Sequence, residues 1–379
     1  MPDNIMVIAA EISADHHAAE LLSELRKLRP NLHFWGIGGE ALQEQGMEIC
    51  IHQKEMSFLG LGEIIRHLPF LYHVKNRLLQ RAEQDTPQCA ILVDYPGFNL
   101  RMARWLKKRG IPVIYYISPQ LWAWGKRRIK RIRRDVDVMM VLFPFEERFY
   151  ARHDVKARYV GHPLLDKHFH ELPQHDKPFD AQNVTLGLLP GSRPQEVAAL
   201  LPEMIATARL LKNRGRIHQA EIVCVDTLPE GAYRRHLNTA DTFIRLIKAP
   251  FTECLPRYDA ALVASGTATL ECGLYALPMV IVYRVHPLTY YLGRLLVKIP
   301  YIGLVNIVGE KELAVELIQH DFTAQRAADE LEKLLTPEGN RGRREALRAL
   351  RELLGEPGAA RHAAETVVAF LDARGKEKA

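Results

Sequence analysis

Short, nearly unbroken apolar runs alternate along this chain with longer segments whose apolar residues recur at helical spacing. "IMVIAA" is followed by "ADHHAAELLSELRKL" and "CAILVDY" by "FNLRMARWLKKRG", after which come "IPVIYYIS" and "DVMMVLF". A run that is apolar throughout predicts a strand covered on both faces, and the intervening amphipathic segments predict helical crossovers of a parallel sheet. The pattern then lapses. "LDKHFHELPQHDKPFDAQN", Leu165 to Asn183, is polar and aperiodic, which predicts an interdomain linker.

Beyond it the alternation restarts with "VTLGLLPGSRPQEVAALLPEMIATARLL", "AEIVCVD", "FIRLIKA", "AALVASGTATLECGLYA" and "PMVIVYRV". The expectation is two α/β domains in tandem, residues 1–167 and 180–350. The last segment reads as helix broken at Gly355 to Gly358, and its final part, about 356–379, is a candidate to pack back on the first domain. Two such domains offer the carboxyl ends of their strands to a ligand in a shared cleft.

With 379 residues, 47% of them hydrophobic, the chain has material for two cores. No stretch reaches the roughly 18 uncharged apolar residues that a bilayer span needs. The start, "MPDNIMVIAAEISADHH", carries an acid where a secretory signal carries basic residues, so no signal peptide and a cytoplasmic protein are expected. Cys50, Cys89, Cys224, Cys254 and Cys272 are odd in number and widely spaced, which predicts reduced, buried thiols rather than disulfides or a zinc knuckle.

The net charge of +6 is unevenly spread: Lys126, Arg127, Arg128, Lys130, Arg131, Arg133 and Arg134 fall within nine positions. Such density fits nucleic acid, anionic lipid or simply a solvated helix face.

Candidate chemistry lies in loops that follow strands. In "PGSRPQE" the turn at Gly191 and Ser192 can present backbone donors, and Arg193 can bind a phosphate with two parallel hydrogen bonds. In "SGTATLE", Ser265, Gly266, Thr267 and Thr269 precede a helix whose N-terminus favours an anion. Glu271, one turn in, cannot help a phosphate but can accept hydrogen bonds from the two hydroxyls of a ribose; the alternative is an exposed helix carboxylate. Together these predict a site for a nucleoside diphosphate without a Walker or G-x-G-x-x-G pattern. Asp94, in "VDYPGFN", follows a strand of the first domain and reads either as a general base or as the N-cap of the next helix.

"EMSFLGLGEIIRHLPFLYHVKNRLL" sets Met56, Phe58, Leu59 and Leu61 among glycines, which reads as core or as a greasy edge that meets acyl chains. "YRVHPLTYYLGRLLVKIPYIGL" tilts the balance toward an interfacial surface. His16 and His17 are adjacent on a helix, so their side chains diverge by about 100° and do not share a metal.

Nine stretches occur in a familiar order: "EISAD", "GIGG", "MSFLGLGEIIRHLP", "DYPGFN", "SPQLWAW", "GHPLLD", "PGSRPQE", "SGTATLE" and "GLVNIVGEKELAVELIQ". In them the chain resembles the lipid-A-disaccharide synthases, from about residue 5 to about 325. The resemblance implies a GT-B architecture, two Rossmann-like domains with parallel sheets facing across a cleft, and an inverting transfer. The implied substrates are UDP-2,3-diacylglucosamine and 2,3-diacylglucosamine 1-phosphate; the implied products are the β(1→6) disaccharide 1-phosphate and UDP. No metal or other cofactor is implied, and no nucleic acid.

On this resemblance Gly191, Ser192, Arg193 and the Ser265–Thr269 loop hold the diphosphate, Glu271 the ribose, and Asn306 a neighbouring part of the donor site. Asp94 is the base and Asn99 supports its loop; Ser13, Asp15, Met56, Phe58, Leu59, Leu61, Trp122 and Arg127 serve the acceptor or its lipid. It places the protein in the cytoplasm, peripherally on the inner membrane of a Gram-negative bacterium, and leaves open whether it forms an oligomer.

Two departures stand out. Ala10, Ala14 and Ala18 replace glycines usual in the family, and Ala314-Val315-Glu316 replaces "V-P-E", which leaves Glu316 without an assigned role. The rival readings are another UDP-sugar enzyme of 2-epimerase or lipid II glycosyltransferase type, a nucleic-acid binder built on the basic cluster with Trp122 and Trp124, and an inactive membrane scaffold.

Overall fold

The computed structural model describes residues 3–56, 68–123, 125, 128–172, 177–285, 290 and 299–378. They form two compact units: one of residues 1–166 together with 356–379, the other of residues 167–355.

The first unit is built on seven strands, β1 (Asp3–Ala9), β2 (Leu32–Gly38), β3 (Glu48–His52), β4 (Cys89–Val93), β5 (Val113–Tyr116), β6 (Val138–Val141) and β7 (Ala157–Tyr159). They lie parallel in the order β3-β2-β1-β4-β5-β6-β7. Successive strand residues point to opposite faces. Thus Met6, Ile8, Ala90, Leu92 and Tyr115 enter one core, and Ile5, Val7, Ile91, Val93 and Tyr116 enter the other. That is why the strand sequences are apolar without alternation.

The second core also receives Ala14, Ala18, Leu21, Leu22 and Leu25 of the Ile12–Leu28 helix and Ala363, Ala364 and Val367 of the Ala359–Lys378 helix. Asp166 fastens the latter by accepting from the Gly358 and Ala359 amides, and Arg29 pairs with Asp372. The expected linker is corrected at its start. Residues Pro163–His168 are an α-helix, continued by a 3-10 turn over Phe169–Glu171. Pro163 suits a first helical position, and the buried residues Leu165 and His168 are one turn apart. A histidine at a buried position hid the periodicity.

The second unit has β8 (Thr185–Leu189), β9 (Gln219–Val223), β10 (Ile244–Ile247), β11 (Ala260–Ala264), β12 (Met279–Tyr283) and β13 (Val315–Ile318), parallel in the order β10-β9-β8-β11-β12-β13. One face is covered by the Pro194–Asn213 and Ala324–Leu334 helices through Val197, Leu201, Met204, Ala328 and Leu331. Each sheet reverses its strand order at one point, between β1 and β4 and between β8 and β11, the kind of point beside which ligands bind in open α/β sheets.

Among the described residues no helix is long and apolar enough to cross a membrane. All five cysteines are free, four of them buried and Cys50 partly so. In the basic cluster, the Ile129–Asp135 helix buries Ile129 and Ile132 and exposes Lys130, Arg131 and Arg133; Arg133 reaches Asp154 at 3.3 Å.

Candidate active site

At the reversal in the first unit, β4 ends at Val93, and Asp94 and Tyr95 follow it, each with φ of 46°. Two consecutive non-glycine residues in the left-handed region cost energy and persist only where the surroundings hold them. Here they do. The Asp94 amide donates to Tyr116 O at 2.9 Å, and the Asp94 carbonyl accepts from Tyr115 Oη at 2.6 Å and from Asn99 Nδ2 at 2.8 Å. Tyr95 Oη donates to Met56 O at 3.1 Å. The Pro96–Lys107 helix takes Tyr95, not Asp94, as its N-cap residue, so the capping alternative for Asp94 is overturned.

Half-burial raises the Asp94 carboxyl above the usual aspartate range, against the smaller opposing effects of the Tyr95 amide and His17. Glu11, at the tip of the adjoining strand β1, is also raised, first by partial burial and second by the charge of Asp94. A carboxylate lifted in this way keeps a captured proton better. Glu11 is a candidate that the reading of single positions missed. Its signal was its place after β1, the strand that pairs with β4.

The other first-unit candidates have different employment. Asp15 is 2% exposed and accepts from Gly39 N at 2.6 Å and Ala41 N at 3.0 Å, fixing the start of the Glu40–Glu44 helix. Ser13 is exposed in the first turn of its helix. Ala10, Ala14 and Ala18 are buried, so their methyl groups fill core space. Met56 requires correction: it is fully buried within the sheet's core, not presented on a greasy edge.

Trp122 is also corrected as a contact or stacking residue at its polar end. Its Nε1 donates to Glu146 Oε1 at 3.1 Å and its ring meets Phe145 edge-on. Burial pushes Glu146 up to about 7, although the Phe143 and Leu142 amides, Trp122 and Ser118 all bond it. His162 is pushed down to about 4 by burial and by His17. Among the described residues no group of three or more His, Cys, Asp or Glu side chains is placed to hold a metal. Phe58, Leu59, Leu61, Arg127, Trp124 and Lys126 lie outside the described residues.

At the reversal in the second unit, the loop after β8 carries Gly191, at φ 98°, where a Cβ would also collide with Glu196 Oε2. The expectation of open backbone donors here is corrected. Ser192 N and Arg193 N already donate to Glu196 Oε2 at 3.1 and 3.3 Å, and Arg193 Nη1 to Glu196 Oε1 at 3.3 Å. An internal carboxylate thus occupies the anion position at the mouth of the Pro194–Asn213 helix, a capping-box arrangement. The Arg193 side chain is 78% exposed.

After β11, Ser265 Oγ donates to Ile302 O at 3.1 Å, and Gly266 and Thr267 are exposed. The Thr267–Leu274 helix begins without a side-chain cap. Thr269 is corrected from ligand contact to local brace: it is buried and its hydroxyl donates to Gly266 O at 2.8 Å. Glu271 is not an exposed helix carboxylate. Only 13% of its side chain is accessible, and its Oε1 faces Nε2 of the buried His168 at 3.2 Å.

Asn306 too is corrected. It is fully buried, donating to Ala314 O and Glu316 Oε1 at 2.7 and 2.9 Å and accepting from Leu313 N and Ala314 N at 2.7 and 2.8 Å. That uses all its hydrogen-bonding capacity and leaves none for a ligand. Glu316, for its part, accepts from Ile302 N and Gly303 N at 2.9 Å each and so pins the entry to the Leu304–Gly309 helix.

Residues 5–369 match the family described as lipid-A-disaccharide synthetase. The lipid-A-disaccharide synthase of Anaeromyxobacter dehalogenans is 41% identical, over 98% of both chains; that of Myxococcus xanthus is 39% identical, over 98% of both. Among solved structures, a ugt transferase from Siraitia grosvenorii in complex with UDP matches with a TM-score of 0.60 at 14% identity, over 97% of this chain and 99% of that one. The UDP-GlcNAc 2-epimerase of Neisseria meningitidis matches with a TM-score of 0.55 at 11% identity, over 97% and 98%. At such identities the likeness shows the fold alone, two Rossmann-like domains of GT-B type.

Proposed function

The chain belongs to the lipid-A-disaccharide synthase family, glycosyltransferases of lipid A biosynthesis, and from that premise we propose that it acts on UDP-2,3-diacylglucosamine and 2,3-diacylglucosamine 1-phosphate with inversion. The acceptor's 6-hydroxyl oxygen bonds to the anomeric carbon as the bond from that carbon to the diphosphate breaks. The hydroxyl proton passes to Asp94, and the electron pair leaves with UDP. Even with its carboxyl raised by half-burial, an aspartate is far too weak a base to ionise an alcohol in advance, so the proton moves late, as the new C–O bond forms.

Asp94 is supported in this role by a specific observation: its backbone is held in a left-handed turn by Asn99 and Tyr115, while its carboxylate has no helix to cap. On the donor side, Arg193 and the uncapped start of the Thr267–Leu274 helix meet the diphosphate, and Glu271 meets the ribose hydroxyls. Glu196 must yield the Ser192 and Arg193 amides if the diphosphate is to use them. Exposed Lys130 and Arg131 offer a basic face to anionic headgroups, consistent with peripheral attachment where both lipid substrates reside.

The test is a product assay by mass spectrometry with each acylated sugar alone and with both. The expected result is disaccharide 1-phosphate and UDP only with both present. UDP release at the same rate without acceptor would overturn the reading.

A further inference from the structure

His168 lies in a polar stretch whose sequence gives no sign of burial, yet it is 1% exposed and aims at Glu271, the carboxylate of the loop and helix that follow β11. Its Nε2 stands 3.2 Å from Glu271 Oε1, and its Nδ1 stands 3.5 Å from Tyr275 Oη, with the two rings nearly perpendicular. A carboxylate only accepts, so Nε2 carries the proton; in the neutral ring Nδ1 then accepts from the tyrosine hydroxyl. Burial raises Tyr275 to about 12, so its hydroxyl keeps the proton it donates. Among the described residues none donates to Glu271 Oε2, which leaves that oxygen for a ligand.

We infer that His168 is a positioning residue for nucleotide recognition: with Tyr275 behind it, it fixes the rotamer of Glu271 and aims Oε2 at the ribose hydroxyls of the donor. This rests on the reading of Glu271 as the ribose contact. The physical reason is that a glutamate has three rotatable bonds, and ordering it on binding costs affinity unless the protein has ordered it beforehand. The arrangement parallels metal-site histidines, whose second ring nitrogen is oriented by a neighbour that fixes tautomer and direction. A histidine needed only for packing would show no such directed chain from hydroxyl to ring to carboxylate.

The experiment compares binding of UDP and 2′-deoxy-UDP by calorimetry. The wild-type protein is expected to prefer UDP, and Glu271→Ala to lose the preference. His168→Leu is expected to weaken UDP on the order of tenfold, the size of one hydrogen bond to a charged group, while 2′-deoxy-UDP changes far less. His168→Gln, whose amide nitrogen can take the place of Nε2, should keep most of the preference. Equal weakening of both nucleotides by His168→Leu, or no weakening of either, overturns the role of His168. A preference that survives Glu271→Ala instead overturns the ribose reading beneath it. Should the leucine variant not fold, long-range 1H–15N spectra of the unmodified protein decide: a proton on His168 Nε2 is expected, and its absence there overturns the proposal.

Discussion

Asn99 donates from Nδ2 to the carbonyl oxygen of Asp94 at 2.8 Å and to that of Val93 at 3.1 Å, so one fully buried amide spans the junction between strand and turn. Removing it frees a backbone already held in an unfavourable conformation. Asn99→Ala is expected to lower kcat on the order of 100-fold, the loss that misplacing a reacting group by about 1 Å produces. Binding of UDP should change little. Steady-state kinetics paired with calorimetry check this, and an unaltered kcat would dismiss the clamp.

Asp94→Asn keeps the size of the side chain and removes its capacity to accept a proton. Turnover should fall by about 10² to 10⁴, the usual worth of a general base. UDP affinity should stay within a few-fold. Near-normal turnover would send the search for the base to Glu11, the neighbouring carboxyl that feels the charge of Asp94.

Arg193→Ala is expected to weaken UDP by about 10- to 100-fold, in line with charge-assisted hydrogen bonds. Arg193→Lys should restore only part of this, because an ammonium lacks the planar fork. Equal affinity across all three proteins would remove Arg193 from the diphosphate.

Asn306→Ala should behave as a folding mutation. It strands the Leu313 and Ala314 amides and one partner of Glu316, and is expected to cost about 2 to 4 kcal/mol in denaturant unfolding. Protein that remains folded should bind UDP nearly as well as the wild type. A selective loss of UDP affinity at unchanged stability would restore Asn306 to the donor site.

Glu146 predicts a pH dependence. Its carboxyl rises from 4.5 to about 7 on folding, so between those values the folded chain holds a proton that the unfolded chain has released. Stability from this group is therefore complete below about pH 4.5 and is lost as pH climbs through about 7. Glu146→Gln should flatten the thermal midpoint across that window relative to wild type. A wild-type midpoint that rises from pH 5 to 7 with the same slope as the variant's would show that Glu146 does not titrate there.

The central strands were readable because burial on both faces leaves an unbroken apolar record, as in β1, β4, β8 and β11. Away from them the record is patchier: "FIRLIKA" still marks the edge strand β10, but four others left no such sign. In "LHFWGIG" of β2, "EICIH" of β3 and "VELI" of β13, short length and polar or glycine positions blur the same signal, and β7 has only three residues.

Site residues divided along a similar line. Asp94 could be located because a position just past a buried strand says where a side chain emerges. Asn306 misled because a polar residue in a short helix looks the same in sequence whether it faces a ligand or two amides of its own chain. Glu196 closes the "PGSRPQE" motif, and nothing local to it reveals that its carboxylate folds back onto Ser192 and Arg193. His168 was hidden by a neighbourhood of polar residues that masked its burial.

Because the turn bearing Asp94 and the helix bearing Glu271 issue from β4 and β11, both flanked by strands on either side, they are anchored to the slowest-opening part of each sheet. Amides there should exchange with deuterium last, after those of β3, β7 and β10 at the margins. Evolutionary drift can accordingly roughen the rims of both sheets while the candidate site rides on ground that hardly breathes.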